Sequence, residues 1–344
     1  MHPETIQSVE QLELMLSEPT PQVVETLAKL DGDLLILGVA GKMGPTLARM
    51  AKRAYEMAGL KNRKVIGVAR FSKPQEQQKL ESWGIQTIRC DLLDNTALQN
   101  LPQVPNVVFM AGMKFGSTNQ EPLTWAMNTF LPGLVCQRFP KSRIAAFSTG
   151  NVYGLAPLSH GGSIETDTLN PTGDYAISCQ GRERMFQHFS LTQGTPVSIL
   201  RLNYACELRY GVLVDLAQKV WAKIPVDLAM GNFNVIWQAD ANAMALASLR
   251  CAATPATILN ISGPETLSVR RVCEQLGKLL NHPVTFTGSE SAEALLNNGQ
   301  TGHRLFGYPR VSVDQLLRWI AHWVSNDGAT LGKPTHFETR DGKF

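Results

Sequence analysis

A chain of 344 residues, 44% apolar and 18% charged, has an ordinary globular composition and the length for one large domain or one and a half. Its net charge of +3 is too small to argue for nucleic acid or an anionic membrane surface as partner, and no apolar run approaches the ~20 residues of a membrane span. The start, Met-His-Pro-Glu-Thr, lacks the basic cluster and apolar core of a secretion signal. Six cysteines, at 90, 136, 179, 206, 251 and 273, show neither a CxxC pair nor metal-ligand spacing, so a cytoplasmic protein with reduced thiols and no metal is expected.

Residues 1–33 read as an appendage of two short helices, Ser8–Leu16 and Gln22–Leu30, broken by Ser17-Glu-Pro-Thr-Pro21. Leu34-Leu-Ile-Leu37 is a strand buried on both faces. Gly38, Gly41 and Gly44 follow at GxxGxxG spacing, and Met43, Leu47, Met50, Ala51, Ala54 and Ala58 then recur at helical intervals. Pro45 suits the first helical turn, where its missing N–H costs nothing. A strand, a glycine turn and a helix in that order form a phosphate cradle of free N–H groups and helix dipole. Gly38, Gly41, Lys42, Met43 and Gly44 are therefore expected around the diphosphate of a dinucleotide.

Lys64–Phe71 is the second strand, and the residue at its carboxyl end lies over the adenosine ribose. A carboxylate there would bind the 2′-hydroxyl; this chain has Arg70, followed by Ser72 and Lys73, which favours NADP over NAD. A third strand, Thr87–Asp94, brings Asp91 and Leu92 to the adenine edge. The fourth, Asn106–Gly112, ends in Ala111 and Gly112, with Lys114 just beyond, and a helix from Pro122 to Arg138 carries Asn128. The fifth, Arg143–Phe147, delivers Ser148-Thr-Gly-Asn-Val-Tyr-Gly154, and a helix from about Asp174 to Gln193 carries Tyr175. The sixth, Pro196–Leu202, ends at Asn203 and Tyr204. This alternation implies an α/β, doubly wound parallel (Rossmann) sheet with ligands at the strands' carboxyl ends.

Beyond residue 205 the rhythm weakens into a smaller α/β lobe. Glu207–Gly231 reads as helix with loops, Asn234–Gln238 as a strand, Asp240–Cys251 as a helix and Thr257–Gly263 as another strand. A helix Val269–Leu280, a strand Val284–Thr287, a short helix around Ala292–Leu295 and a helix Asp314–Val324 complete it. Residues 34–205 and about 234–265 then form the nucleotide domain, and about 206–233 with 266–330 the substrate lobe. Residues 331–344, rich in Gly, Thr and Lys, are expected to be loosely held.

The pattern over residues 34–320 resembles the extended short-chain dehydrogenase/reductase family, the nucleotide-sugar epimerase and dehydratase group. The resemblance rests on Gly38–Gly44, Asp91-Leu92, Phe109-Met-Ala-Gly-Met-Lys114, Asn128, Phe147–Gly154, Tyr175, Arg201-Leu-Asn203 and Asn260-Ile-Ser-Gly-Pro-Glu, in order and spacing. Phe109–Asn128 is most similar to UDP-galactose 4-epimerases. The resemblance implies that Thr149, with Ser148 beside it, orients the reacting oxygen and that Tyr175 moves the hydroxyl proton while nicotinamide carries hydride. It also implies cofactor contacts from Asn128 and Asn203, a sugar or sugar derivative as substrate, and a homodimer through the helices bearing Asn128 and Tyr175.

That family lowers its tyrosine's pKa with a lysine four residues on, one helical turn away. Cys179 stands there instead. Three explanations remain open: Arg182 brings the cation back along the helix, Lys114 reaches the nicotinamide ribose from the opposite wall, or the protein binds cofactor and turns over little. Gly150 and Asn151 occupy the positions of the dehydratase acid pair, which argues against dehydration. Redox sensing by Cys179 would require an exposed thiol of lowered pKa. Tyr153 reads as packing, Cys206 as a buried thiol, His160 as a loop residue, and Trp221, Trp237 and Trp319 as core anchors.

Overall fold

In a computed structural model of the chain, residues 3–114 and 119–342 are described. Residues 115–118 of the Phe109–Asn128 segment, the first two residues of the leader and the last two of the tail lie outside them. The strands are β1 (Leu34–Leu37), β2 (Val65–Ala69), β3 (Gln86–Arg89), β4 (Asn106–Phe109), β5 (Arg143–Thr149), β6 (Val197–Leu202) and β7 (Thr257–Ile261). They form one parallel sheet in the order β7-β6-β5-β4-β1-β2-β3. The seventh strand is the run expected at Thr257–Gly263, so the sheet reaches well into the C-terminal half of the chain.

The inner strands are largely apolar and buried because helices cover both faces, whereas the edge strand β3, Gln86-Thr-Ile-Arg89, is partly exposed. Leu34 to Leu37 and Asn106 to Phe109 are fully buried, and two apolar clusters lie on opposite faces of the sheet. In register, Leu37 stands opposite both Val68 and Phe109, which brings the carboxyl ends of three strands to one edge. The chain reverses its winding about β1, so the crevice at Gly38 is the topological switch point where such sheets bind ligands.

Helices α1 (Val9–Leu16) and α2 (Pro21–Lys29) are capped by the Ser8 and Thr20 hydroxyls, as serine and threonine caps do. They pack on α3 (Gly44–Met57), and Arg53 of α3 donates to the Leu14 carbonyl at 2.8 Å. The long helix α4 (Gly173–Gln193) buries a stripe that reads polar: Ser178, Cys179, Arg182 and Glu183 face the sheet. Glu183 and Arg201 of β6 pair there at 2.7 Å, 1% and 3% exposed, and Arg201 also donates to the Tyr153 hydroxyl. The C-terminal half adds helices α5 (Val212–Trp221), α6 (Gln238–Ala247), α7 (Val269–Leu280) and α8 (Val313–Ser325).

Three local expectations change. The helix expected at Ala292–Leu295 is instead a two-residue strand, Glu293–Ala294, paired antiparallel with Ala156–Pro157; a neighbouring edge overrides local propensity. The helix from residue 121 to Arg138 is interrupted at Ala126–Phe130 by a π turn. The tail, expected to be loosely held, packs instead: the Thr335 N–H and hydroxyl donate to Asp215 of α5 at 2.8 and 2.5 Å, and Phe337 is 2% exposed against Phe233.

Candidate active site

Two hollows open along the carboxyl edge of the sheet. The larger, about 440 Å3, is lined by Gly38, Gly41, Arg70, Asp91, Leu92, Ala111 and Gly112. The smaller, about 130 Å3, is lined by Lys42, Met43, Lys114, Ser148, Thr149, Tyr175 and Asn203, together with Asn151, Tyr204, Tyr210 and Thr335. The glycine turn separates them, Gly41 facing one and Met43 the other.

The turn is built for backbone approach. Gly38 has φ +88°, and an added Cβ there would fall 2.7 Å from the Ala111 nitrogen on β4's extension. A Cβ on Gly44 would lie 2.2 Å from the Val39 carbonyl oxygen, so the first turn of α3 can sit on the strand only with glycine. Gly41 and Gly44 donate back to Gly38 and Gly41. Among the described residues, the N–H groups of Lys42 and Met43 between them find no acceptor in the chain. Two such donors at a helix start fit a diphosphate. Phe71 and Tyr204, at the ends of β2 and β6, both adopt positive φ (48° and 37°), a strained backbone of the kind found at ligand sites.

Thr149 ends β5, and its hydroxyl accepts from the Asn151 N–H at 3.2 Å and from the Asn151 amide at 3.0 Å. Tyr175, two residues into α4, is in hydrogen-bond contact with the Thr149 hydroxyl and with the Cys179 thiol one turn on. Burial drives the Tyr175 pKa well above its ordinary 10, and the neighbouring Cys179 adds to the rise; Arg182 and Thr149 oppose it. Cys179 is itself fully buried with its pKa raised by burial, so it supplies neither charge nor the exposed, low-pKa thiol that redox sensing requires.

The candidate cations lie in different places. The Lys114 ammonium is 5.7 Å from the centre of the Tyr175 ring, and burial, then the charge of Lys42, lower its pKa from 10.5 to about 8. Arg182 lines neither hollow: it is buried, donating to the Phe147 carbonyl at 2.8 Å and the Asn128 side chain at 2.6 Å. Its charge favours the ionised forms of Tyr175 and Cys179 from behind rather than by contact.

Asn128 lines neither hollow either. The π turn carries it inward, where its side chain both accepts from the Met113 N–H and donates to the Met113 carbonyl, each at 2.9 Å. It thereby fixes the residue before Lys114. Ser148 donates to Glu183 at 2.6 Å, and Asn203 donates to Asn234 at 2.6 Å, so each has a structural partner beside its place in the cavity.

The family model described as NAD dependent epimerase/dehydratase family matches residues 34–206. The chain belongs to that family. Its fold is shared by UDP-glucuronic acid 4-epimerase from Bacillus cereus in complex with NAD (18% identity over 86% of this chain and 96% of that one, TM-score 0.69). It is shared also by dTDP-glucose 4,6-dehydratase from Bacillus anthracis in complex with NAD (15% identity, 86% and 97%, TM-score 0.72), and by MoeE5 in complex with UDP-glucose and NAD (19% identity, 86% and 99%, TM-score 0.67). No curated protein matches by sequence.

Within this family member, several residues read as packing do pack. Tyr153 donates to Asn260 at 2.8 Å, Trp237 and Trp319 meet in the core, and burial pushes the Cys206 thiol up to about 11. Trp221, expected in the core, is 37% exposed and stacked on His282. Sequence reasoning missed Tyr204 and Tyr210 as cavity walls, and the tail residues Thr335 and Lys333, which line the smaller and larger hollows. No local signal marks the tail residues; a tail reaches a site only through tertiary packing. Among the described residues no helix is long and apolar enough to cross a membrane and no cluster suits a metal.

Proposed function

We propose that the chain is an NAD(P)-dependent oxidoreductase or epimerase acting at a secondary alcohol or ketone of a sugar or sugar derivative. The observation that carries this reading is the Thr149–Tyr175 hydroxyl pair, facing one cavity directly past a glycine turn with two unbonded N–H groups. A bound nicotinamide dinucleotide would supply the hydride acceptor or donor. Thr149 would hold the substrate oxygen and Tyr175 would take or return its proton. The solved relatives in complex with NAD and UDP-glucose, and the epimerase and dehydratase they include, support the substrate class.

Cys179 takes the place of the family's lysine in this reading, and Lys114 is the cation that stands in for it. The Lys114 ammonium lies 5.7 Å from the centre of the Tyr175 ring and lines the cavity, which Arg182 does not. NADP is the favoured cofactor, because Arg70, Ser72, Lys73 and Lys333 surround the larger hollow, with Glu76 and Asp91 the carboxylates there. Leu123, Trp125, Phe130 and Ile177, apolar and 39–59% exposed on the Asn128 and Tyr175 helices, support the homodimer.

A second reading is a cofactor-binding protein with little turnover, favoured by the raised Tyr175 pKa and its neutral neighbour Cys179. Calorimetry with NADP and NAD, followed by a sugar and sugar-nucleotide panel read by nicotinamide absorbance, separates the two. Turnover abolished by Tyr175→Phe supports the enzyme; cofactor uptake with no turnover that Cys179→Lys then restores supports the silent protein; no uptake of either cofactor refutes both.

A further inference from the structure

Two lysines enter the smaller cavity from different elements. Lys42 comes from the glycine turn and Lys114 from the segment after β4, and neither lines the larger hollow. The Lys42 ammonium donates to the Ala205 carbonyl at 2.8 Å and lies 3.8 Å over the Tyr210 ring. An ammonium has three donors, so one carbonyl and one ring face do not exhaust it.

The carboxylates whose charge reaches Lys42 are engaged elsewhere. Glu207 is held by Arg209 at 3.1 Å, and Asp215 accepts twice from Thr335. Among the described residues no carboxylate lies at ion-pair distance from Lys42. Burial lowers its pKa from 10.5 to about 8, and its charge helps lower that of Lys114. A confined cleft with two mutually repelling ammoniums is at a higher free energy than one in which an anion sits against them. The backbone N–H groups of Lys42 and Met43 suit a diphosphate by themselves, whereas the Lys42 ammonium lies at Ala205 and Tyr210, both of which line the smaller cavity.

We propose that Lys42 anchors a compact anionic group of the substrate, a carboxylate carried near the alcohol that Thr149 and Tyr175 address, so that acidic sugars are taken in preference to neutral ones. The proposal rests on the reading that a nicotinamide dinucleotide binds beside this cavity. A neutral ring in the same place would leave the Lys42 ammonium facing uncharged hydroxyls. A carboxylate would accept a charge-assisted hydrogen bond from it, with Lys114 contributing to the same field.

The test is calorimetry on the full chain loaded with NADP, using two matched pairs that differ by one carboxylate: glucuronate against glucose, and UDP-glucuronic acid against UDP-glucose. Each is measured on the unaltered protein, on Lys42→Met, which keeps the apolar stem, and on Lys42→Arg, which keeps the charge. The unaltered protein should bind the acid of at least one pair about tenfold or more tightly than its neutral partner, the scale of one charge-assisted bond. Lys42→Met should erase that preference and Lys42→Arg should keep most of it, with NADP affinity within about threefold throughout. The proposal is overturned by equal binding of acid and neutral partners in both pairs, or by a preference that survives in Lys42→Met. It is also overturned if Lys42→Met loses NADP instead, which would assign the ammonium to the cofactor's diphosphate. Should the unaltered protein take up neither NADP nor NAD, the nicotinamide reading fails separately, and the acid preference is read on the cofactor-free chain by the same criteria.

Discussion

Replacing Lys114 by Met removes the ammonium that lies over the Tyr175 ring. At 5.7 Å, with an effective dielectric of about 20, a unit charge is worth about 3 kcal/mol to a phenolate, or roughly a hundredfold in its population. Water in the cleft screens part of this, so a loss of about ten- to a hundredfold in kcat is expected. The assay is single-turnover reduction of saturating NADP by whichever sugar in the panel is turned over, with NADP affinity measured alongside. The loss should be largest below about pH 8, where Lys114 is protonated, and should shrink as the pH rises through that value in the unaltered protein. A variant with unchanged kcat would refute the reasoning and return the phenol's activation to Arg182 or to the cofactor alone. A fall confined to NADP affinity would show Lys114 to be a cofactor ligand only.

Four further outcomes follow from the same geometry. Cys179→Lys should raise turnover about tenfold or more by placing a cation one helical turn from Tyr175, provided far-UV dichroism shows that the buried site accepts it. Arg70→Ala and Lys333→Ala should each weaken NADP binding about tenfold while leaving NAD nearly unchanged; equal losses for both cofactors would remove the 2′-phosphate assignment. Glu183→Gln leaves Arg201 buried without its carboxylate and should cost about 3–5 kcal/mol in urea unfolding, far more than a surface pair. The lowered folded pKa of Lys42 means that the unfolded chain binds more protons between about pH 8 and 10.5, so stability should rise with pH across that window. Lys42→Met should flatten the rise and stabilise the cofactor-free protein at neutral pH by up to about 3 kcal/mol, less whatever the cleft water already screens; a Tm unchanged at both pH values would show that the ammonium is fully solvated.

The local order of the chain carried most of the architecture. Leu34–Leu37, Asn106–Phe109 and the run from Val197 could be recognised as strands because a strand covered on both faces is mostly apolar, polar exceptions such as Asn106 and Arg201 having hydrogen-bond partners. The glycine spacing marked the turn because only glycine allows the approaches made at Gly38 and Gly44, and α4 showed its start in Asp174-Tyr175 even though its buried stripe is polar. Thr149 and Tyr175 were singled out by the family resemblance alone, and the structure places both on one cavity, at the end of β5 and in the first turn of α4.

Tertiary packing decided what local pattern could not. Arg182 shares a helical face with Tyr175, yet the Phe147 carbonyl and Asn128 draw its guanidinium beneath the site rather than into it. The side chain of Lys42 leaves a backbone cradle to reach Ala205 and Tyr210, some 160 residues further along, and the tail crosses to place Lys333 and Thr335 along the two hollows. Glu293–Ala294 became a strand because Ala156–Pro157 offered it an edge. Backbone elements follow from short-range periodicity, since burial of one face is a local property of the pattern. Where a long polar side chain ends depends on which carbonyls and rings the fold brings within its reach, and those partners are distant in the chain.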